Sequence, residues 1–304
     1  MNPDFFRHPF TKLLTLIFIM VTSFFVLFLL SYLLAIPLFG LSFDELSHIL
    51  SGEIAAEHTA IIKYFQIIQT IGLFVLPPFL AVRFFSERPA QYLGFSPRPG
   101  NWSLVAVIVL IWTAVPFINF LTQLNQEIQL PEIFGSMERW LVNREESARE
   151  ITGEFLQADT LSMLILNLFM VAVLPSVGEE LIFRGIIQKL LTQWTRNAHL
   201  GILIAAFLFS AMHVQFYGLI PRMFLGVLFG YLFFWSGSIW LPILGHFINN
   251  ASAVVYYFVS QEDASLHSSR FDSLGMEPST VVISVVMIVL CCLIVYFDAK
   301  RLKE

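Results

Sequence analysis

Apolar runs of about 20 residues recur along nearly the whole 304-residue chain, and nothing else in the sequence constrains the fold as strongly. About 20 such residues in a helix cross the ~30 Å hydrocarbon core of a bilayer. In lipid, only helices and closed barrels satisfy every backbone N–H and C=O, and the alternating pattern of a barrel strand is absent. The expected fold is therefore all-α: a polytopic membrane protein, a bundle of about eight transmembrane helices forming one integral membrane domain over residues 1–304. The composition agrees, with 57% hydrophobic and only 13% charged residues, against about a quarter charged in a soluble domain.

The eight expected spans cover residues 12–39, 61–85, 102–124, 161–194, 200–216, 219–234, 239–259 and 280–297. The run over 13–38 is too long for a signal-peptide core and no small-residue cleavage pattern follows it, so it is read as a retained first span. Pro77 and Pro78 should kink the second span, because proline removes a helix hydrogen bond. Trp102 opens the third at interface height. The loop over 41–60 carries Asp44, Glu45, Glu53 and Glu57. The polar stretch 125–160 carries eight acids and three arginines, net −5, and part of it, 137–155, reads as an interfacial helix. Gly226 and Gly230, four apart in the sixth span, allow close helix approach. Arg7, Lys12, Arg83, Arg88, Arg98, Lys189, Arg196, Lys300, Arg301 and Lys303 fall on one side of an eight-span topology, so both termini are expected in the cytoplasm. The net charge of −5 is dispersed with no basic face, which excludes a nucleic-acid partner. Cys291 and Cys292 are adjacent, and neighbouring cysteines rarely bridge.

Within this apolar background stands Pro175-Ser176-Val177-Gly178-Glu179-Glu180-Leu181-Ile182-Phe183-Arg184-Gly185. Each charge placed in hydrocarbon costs about 2.5–3.5 kcal/mol on insertion scales, so these groups must pair or face a wet cavity. On a helix Glu180 and Arg184 are four apart and share a face, whereas Glu179 is turned about 100° away. Glu180 with Arg184 is thus the expected structural pair, and Glu179 is left to face other segments. Two later apolar segments carry histidines, His213 and His246, and Asn250 follows His246 by four residues on the same helical face. A carboxylate beside imidazole can activate a water, and two polar groups on one face suit an oxyanion pocket. The bland reading of each is helix–helix hydrogen bonding, worth about 0.6 kcal/mol per bond. The depths conflict unless the fourth helix protrudes or bends at Pro175. Counted at 1.5 Å per residue, Glu179 would lie roughly 27 Å below the outer face and His213 about 20 Å above the inner one.

Glu-Glu-x-x-x-Arg, then Phe-x-x-x-His, then His-x-x-x-Asn, each in a separate apolar segment over about 161–257, resembles the CAAX prenyl protease and bacteriocin-processing family (CPBP or Abi) of intramembrane proteases. The resemblance implies an eight-helix fold and peptide-bond hydrolysis. It further implies water activation by Glu179 and His213, with the oxyanion held by His246 and Asn250. The chain departs from the pattern at Tyr217, where some members carry asparagine, and no catalytic role is carried onto it. The family is described both as metal-dependent and as metal-free. The expectation is no cofactor. A divalent metal such as zinc would use Glu179, His213 and His246, and would complete its set only with an unusual asparagine ligand.

The leading expectation is an intramembrane endopeptidase acting on a peptide or protein substrate among membrane lipids. Two other classes use the same groups: a proton- or cation-coupled transporter, and a catalytically silent membrane scaffold or immunity protein. No His-Glu-x-x-His, Gly-x-Ser-Gly or Gly-x-Gly-Asp signature occurs, so these three segments hold the candidate chemistry.

Overall fold

The computed structural model describes residues 8–50, 58–128, 131–262 and 277–304. Arg7, Glu53 and Glu57, and the side chains of Arg149, Glu150 and Glu154, lie outside the described residues. The described residues form helices and no strand: α1 (Pro9–Phe39), α2 (Phe43–Leu50), α3 (Thr59–Phe85), α4 (Pro89–Leu93), α5 (Asn101–Gln126), α6 (Gly135–Leu156), α7 (Leu161–Thr195), α8 (Ala198–Ala211), α9 (Leu219–Ser236), α10 (Trp240–Glu262) and α11 (Pro278–Arg301). The fold is an all-α polytopic membrane protein.

Six helices have the length and apolarity to cross a bilayer: α1, α3, α5, α7, α9 with the 3₁₀ turn before it, and α11. Among the described residues, six of the eight expected spans meet this criterion of length and apolarity. Helix α8 has 14 residues, about 21 Å at 1.5 Å per residue, short of the hydrocarbon thickness. Helix α10 has 23 residues but is not among the six. Apolar side chains cover the outside: Phe18 is 69% exposed, Phe25 63% and Val282 62%. Such a surface is a liability in water and a lipid-facing coat in a membrane.

Local chemistry sets the ends. Pro9 opens α1 behind His8, whose Nδ1 accepts from Phe10 N–H, and Gly40 closes it at φ +67°, a left-handed cap that glycine adopts without strain. Helix α1 thus begins three residues before the expected start of the first span at residue 12, and it runs through Pro37. Ser42 and Glu45 cap α2 reciprocally, with Ser42 N–H donating to Glu45 Oε2 (2.8 Å) and Glu45 N–H to Ser42 Oγ (3.3 Å). The expected interfacial helix forms as α6.

Two of the long proline-bearing helices, α3 and α7, loosen before the proline. Helix α3 widens to a π turn over Ile71–Val75 ahead of Pro77, and α7 does so over Leu168–Val173 ahead of Pro175. A π turn absorbs one residue and frees a carbonyl, which a neighbour then satisfies. Ser23 Oγ on α1 donates to Gly72 O (2.9 Å), and Asn250 Nδ2 on α10 donates to Val171 O (3.0 Å). In α7 the logic is direct. An α-helical Val171 carbonyl would accept from residue 175, and Pro175 has no N–H to give.

The 35 residues of α7 make a helix of about 52 Å, long enough to protrude, and they pass through the middle of the bundle. Leu181, Ile182, Phe183, Ile186 and Leu190 of α7 pack with Phe209, Phe233, Ile243 and Leu16 in the main core. A second core joins α5, α9, α10 and α11. Gly226 and Gly230 allow the expected close approach: a Cβ at 226 would lie 2.9 Å from Ala206 Cβ, and one at 230 would lie 2.7 Å from Ile202 Cγ2. Their carbonyls are also used, accepting from Arg184 Nη2 and Gln188 Nε2, each at 3.1 Å. The Lys12 and Lys189 ammonium groups lie 5.7 and 5.0 Å from the Tyr92 ring centroid. Cys291 and Cys292 are unbridged.

Candidate active site

The acid cluster lies on the α-helical stretch Leu174–Ile182 of α7, between the π turn Leu168–Val173 and a second one at Phe183–Ile187. Glu180 and Arg184, fully buried, form the expected pair, with Nη1 donating to Oε1 at 2.7 Å. The Arg184 guanidinium also stacks over the Phe209 ring, 4.8 Å from its centroid. Removal from water costs several kcal/mol per ion, and the pair offsets it through Glu180 Oε1, while Oε2 is buried with no hydrogen-bond partner.

His246, on α10, reaches across to the same acid. Its Nδ1 lies 2.8 Å from Glu180 Oε1. A carboxylate oxygen accepts, so Nδ1 is assigned the proton, and Nε2 is the ring nitrogen turned toward Glu179. Nε2 stands 3.9 Å from Glu179 Oε2, too long for a hydrogen bond. Phe229 lies nearly parallel to the imidazole, centroids 5.7 Å apart. The separation of roles within the two acids is thus as the 100° rotation implies, but it is incomplete. His246 belongs to the structural pair as well as to the side where Glu179 faces.

His213 corrects the sequence reading. Helix α8 ends at Ala211, and His213 sits in the turn that follows it, before Val214 at φ +52° and the 3₁₀ turn Phe216–Gly218. It is not inside a helical span reaching residue 216. Irregular backbone inside a membrane persists only where it is buried in protein or lines a cavity, and His213 and Gln215 line one. The His213 Nδ1 is 2.9 Å from Phe209 O. A carbonyl accepts, so Nδ1 again carries the proton and the basic lone pair is on Nε2.

Asn250 and Asn249 follow on α10. The Asn250 amide donates to Val171 O, and its oxygen accepts from Asn249 Nδ2 at 3.1 Å. His246 and Asn250 therefore both make the helix–helix bonds of the bland reading, yet both also face the cavity. The second Asn250 amide proton is not consumed by the Val171 bond.

Glu179, His213, His246 and Asn250 line one cavity of about 660 Å³, within the usual size of ligand pockets. Helix α6 contributes Ala148, Ile151, Thr152 and Phe155 to its wall, and α7 contributes Val171 and Pro175. Glu180 and Arg184 stand behind the cavity wall. Tyr217 lines a neighbouring cavity of about 510 Å³, and its backbone N–H donates to Glu145 Oε2 at 3.2 Å. Sequence reasoning missed Arg222, which lines both cavities together with Asn249. The signal was present: Arg222 is a guanidinium inside an apolar span, and the cost argument applied to Glu179 applies to it equally.

The donor set does not fit a metal centre. Among the described residues, no three His, Cys, Asp or Glu side chains are placed to hold one ion. The fourth ligand would be Asn250, an unusual choice for zinc whose amide oxygen already accepts from Asn249.

Residues 161–252 match the family model described as type II CAAX prenyl endopeptidase, Rce1-like. The match spans α7 to the first half of α10 and supports the motif-based resemblance to CPBP proteases. No curated protein and no solved structure matches the chain.

Proposed function

We propose that this chain, whose residues 161–252 match a family of CAAX-type intramembrane endopeptidases, hydrolyses a peptide bond with a water activated by Glu179 and His213. The observation that carries the reading is the meeting of Glu179, His213, His246 and Asn250, from α7, the α8–α9 turn and α10, on one cavity. Glu179 takes the proton of a water directed at the scissile carbonyl, and His213 shares it through Nε2, the ring nitrogen left basic by its bond to Phe209 O. The second amide proton of Asn250 and, in its doubly protonated form, Nε2–H of His246 hold the oxyanion. Glu180 balances that imidazolium through Nδ1, the orienting role a carboxylate plays behind a catalytic histidine. Arg184 holds Glu180 in place. The reaction uses carboxylate, imidazole and amide alone.

The orientation proposed with it places both termini in the cytoplasm, on the side of the basic residues Lys12, Lys189, Lys300 and Arg301. The test is cleavage of a panel of synthetic peptides by purified protein. Glu179→Gln should lower the rate by at least 10²–10⁴-fold while the variant inserts, purifies and melts like wild type. A fully active Glu179→Gln protein removes the mechanism.

A further inference from the structure

Two lysines that the proposed chemistry does not use stand against one aromatic ring. Lys12, in the first turn of α1, and Lys189, toward the end of α7, both direct their ammonium groups at Tyr92 of α4, at 5.7 and 5.0 Å from the ring centroid. Lys12 lies a further 5.7 Å from the Phe85 ring, and Lys189 lies 5.0 Å from that of Phe233. Lys189 Nζ also donates to Tyr92 O. Both lysines are half-buried, and among the described residues no carboxylate closes an ion pair with either. The Tyr92 hydroxyl is buried without a hydrogen-bond partner, so it accepts from neither. Lysines near the ends of membrane helices ordinarily snorkel to water. These two are instead held on rings, where each gains cation–π attraction while their mutual repulsion is left unrelieved. Each ammonium carries three N–H donors, and most of the six have no protein acceptor.

Their depth in the bilayer is marked by two neighbours. Phe10 of α1 and Trp194 of α7, 46% and 53% exposed, meet edge to face with centroids 6.0 Å apart, and exposed tryptophan sits at the headgroup level. Lys12 lies two residues inward along α1 and Lys189 five along α7, about 3 and 7.5 Å at 1.5 Å per residue. Both ammonium groups therefore stand just beneath the headgroups, where a lipid phosphate and its glycerol esters lie. Tyr92 also lines a cavity of about 500 Å³ with Ser86, Glu87, Arg88 and Gln91. Lys12, Lys189 and Arg88 against Glu87 leave this corner net positive. We propose that an anionic phospholipid binds here, its phosphate on Lys12 and Lys189 and the rest of its headgroup in the cavity beside Tyr92. Basic pockets between membrane helices take headgroups in this way, through strong charge-assisted hydrogen bonds. Ser86 and Gln91 offer hydrogen bonds to headgroup hydroxyls, and Glu87 disfavours a second phosphate, so a singly charged headgroup fits best. The site is ten residues along α7 from Glu179 and does not depend on the peptidase reading.

The experiment titrates the full-length protein in a neutral detergent with short-chain phosphatidylglycerol, and separately with phosphatidylcholine of the same chains. Bound lipid is counted by native mass spectrometry. Wild type should retain a single phosphatidylglycerol and bind it about 10-fold or more tightly than phosphatidylcholine. The attraction of one basic residue to an anionic headgroup converts to about 5-fold in affinity. Lys12→Gln and Lys189→Gln should therefore each weaken phosphatidylglycerol binding about 5-fold, and together about 25-fold, with phosphatidylcholine unchanged. Arg98→Gln with Lys300→Gln removes the same charge from two exposed positions elsewhere and should leave the preference intact. Lys189→Gln loses the bond to Tyr92 O, whereas Lys12 Nζ makes no hydrogen bond among the described residues. Lys12→Gln therefore decides the matter if the Lys189 variants do not fold. Equal affinity of wild type for the two lipids, an undiminished preference in Lys12→Gln, or an equal loss in the control pair overturns the proposal. Displacement of the lipid by an equal concentration of inorganic phosphate makes this a free-anion site and overturns it too. Retention of the lipid against a large excess of phosphate supports it.

Discussion

The dual position of Asn250 gives a sharp test, because its structural and chemical duties make opposite demands of one second-site change. Asn250→Ala deletes the 3.0 Å bond to Val171 O, leaving that carbonyl without the N–H that Pro175 cannot supply. An unsatisfied buried carbonyl costs about 1–3 kcal/mol. Interhelical hydrogen bonds in membranes average about 0.6 and reach about 1.7 kcal/mol. Val171 and Asn250 both edge the cavity, where water can replace part of the bond, so the lower range applies and about 1 kcal/mol is expected. In a Pro175→Ala background, residue 175 regains an N–H four residues after Val171, and the same Asn250→Ala change should cost less than about 0.5 kcal/mol. Unfolding of the four proteins in mixed micelles measures this coupling. Peptide cleavage measures the other duty. Asn250→Ala should lower the rate by about 10²–10³-fold, and Pro175→Ala should not restore it, because the regained backbone bond does not replace the lost amide proton in the cavity. Equal destabilisation in both backgrounds would refute the account of the freed carbonyl. Recovery of activity in the double variant would refute the oxyanion role.

Gly178→Ala places a Cβ 2.7 Å from Phe74 Cβ and 2.9 Å from the Phe74 backbone carbon. Backbone cannot yield as a flexible side chain does, so destabilisation of about 1–3 kcal/mol is expected in the same unfolding assay. Gly135→Ala, with nothing within 4 Å of the new atom, is its control. Two donors from Ser42 hold the exposed Glu45 carboxyl below its ordinary pKa. Its contribution to the α2 cap is therefore present above the unfolded carboxylate pKa and lost as pH falls through the lower folded value. Amide exchange at the start of α2 should quicken in that acid window, and Glu45→Gln should remove most of the pH dependence. Activity should survive exhaustive treatment with a strong chelator, measured on the peptides used above; complete loss restored by one added metal would contradict the metal-free scheme.

The sequence by itself determined the membrane class, because runs of about 20 apolar residues leave a chain few other ways to satisfy its backbone. It also determined the Glu180–Arg184 pair, which follows from four-residue spacing on any helix, and the protruding length of the fourth span. These are local consequences, readable within one or two turns. The site itself was legible only as a set of candidates. Helix periodicity said that Glu179 points away from Glu180, but not that His246, 66 residues from Glu180, takes one acid by Nδ1 and faces the other by Nε2. The apolar residues around His213 read as helix, since periodicity does not show where a short helix stops and turns back under cavity packing. Asn250 met Val171 only because Pro175 freed a carbonyl on another helix. Arg222, a charge in an apolar span, carried the same signal of cost as Glu179, but only folding put it on the wall of the cavity that Glu179 lines. Contacts of this kind join segments dozens of residues apart, and they are set by the packing of whole helices against one another, which spacing along one chain segment does not encode.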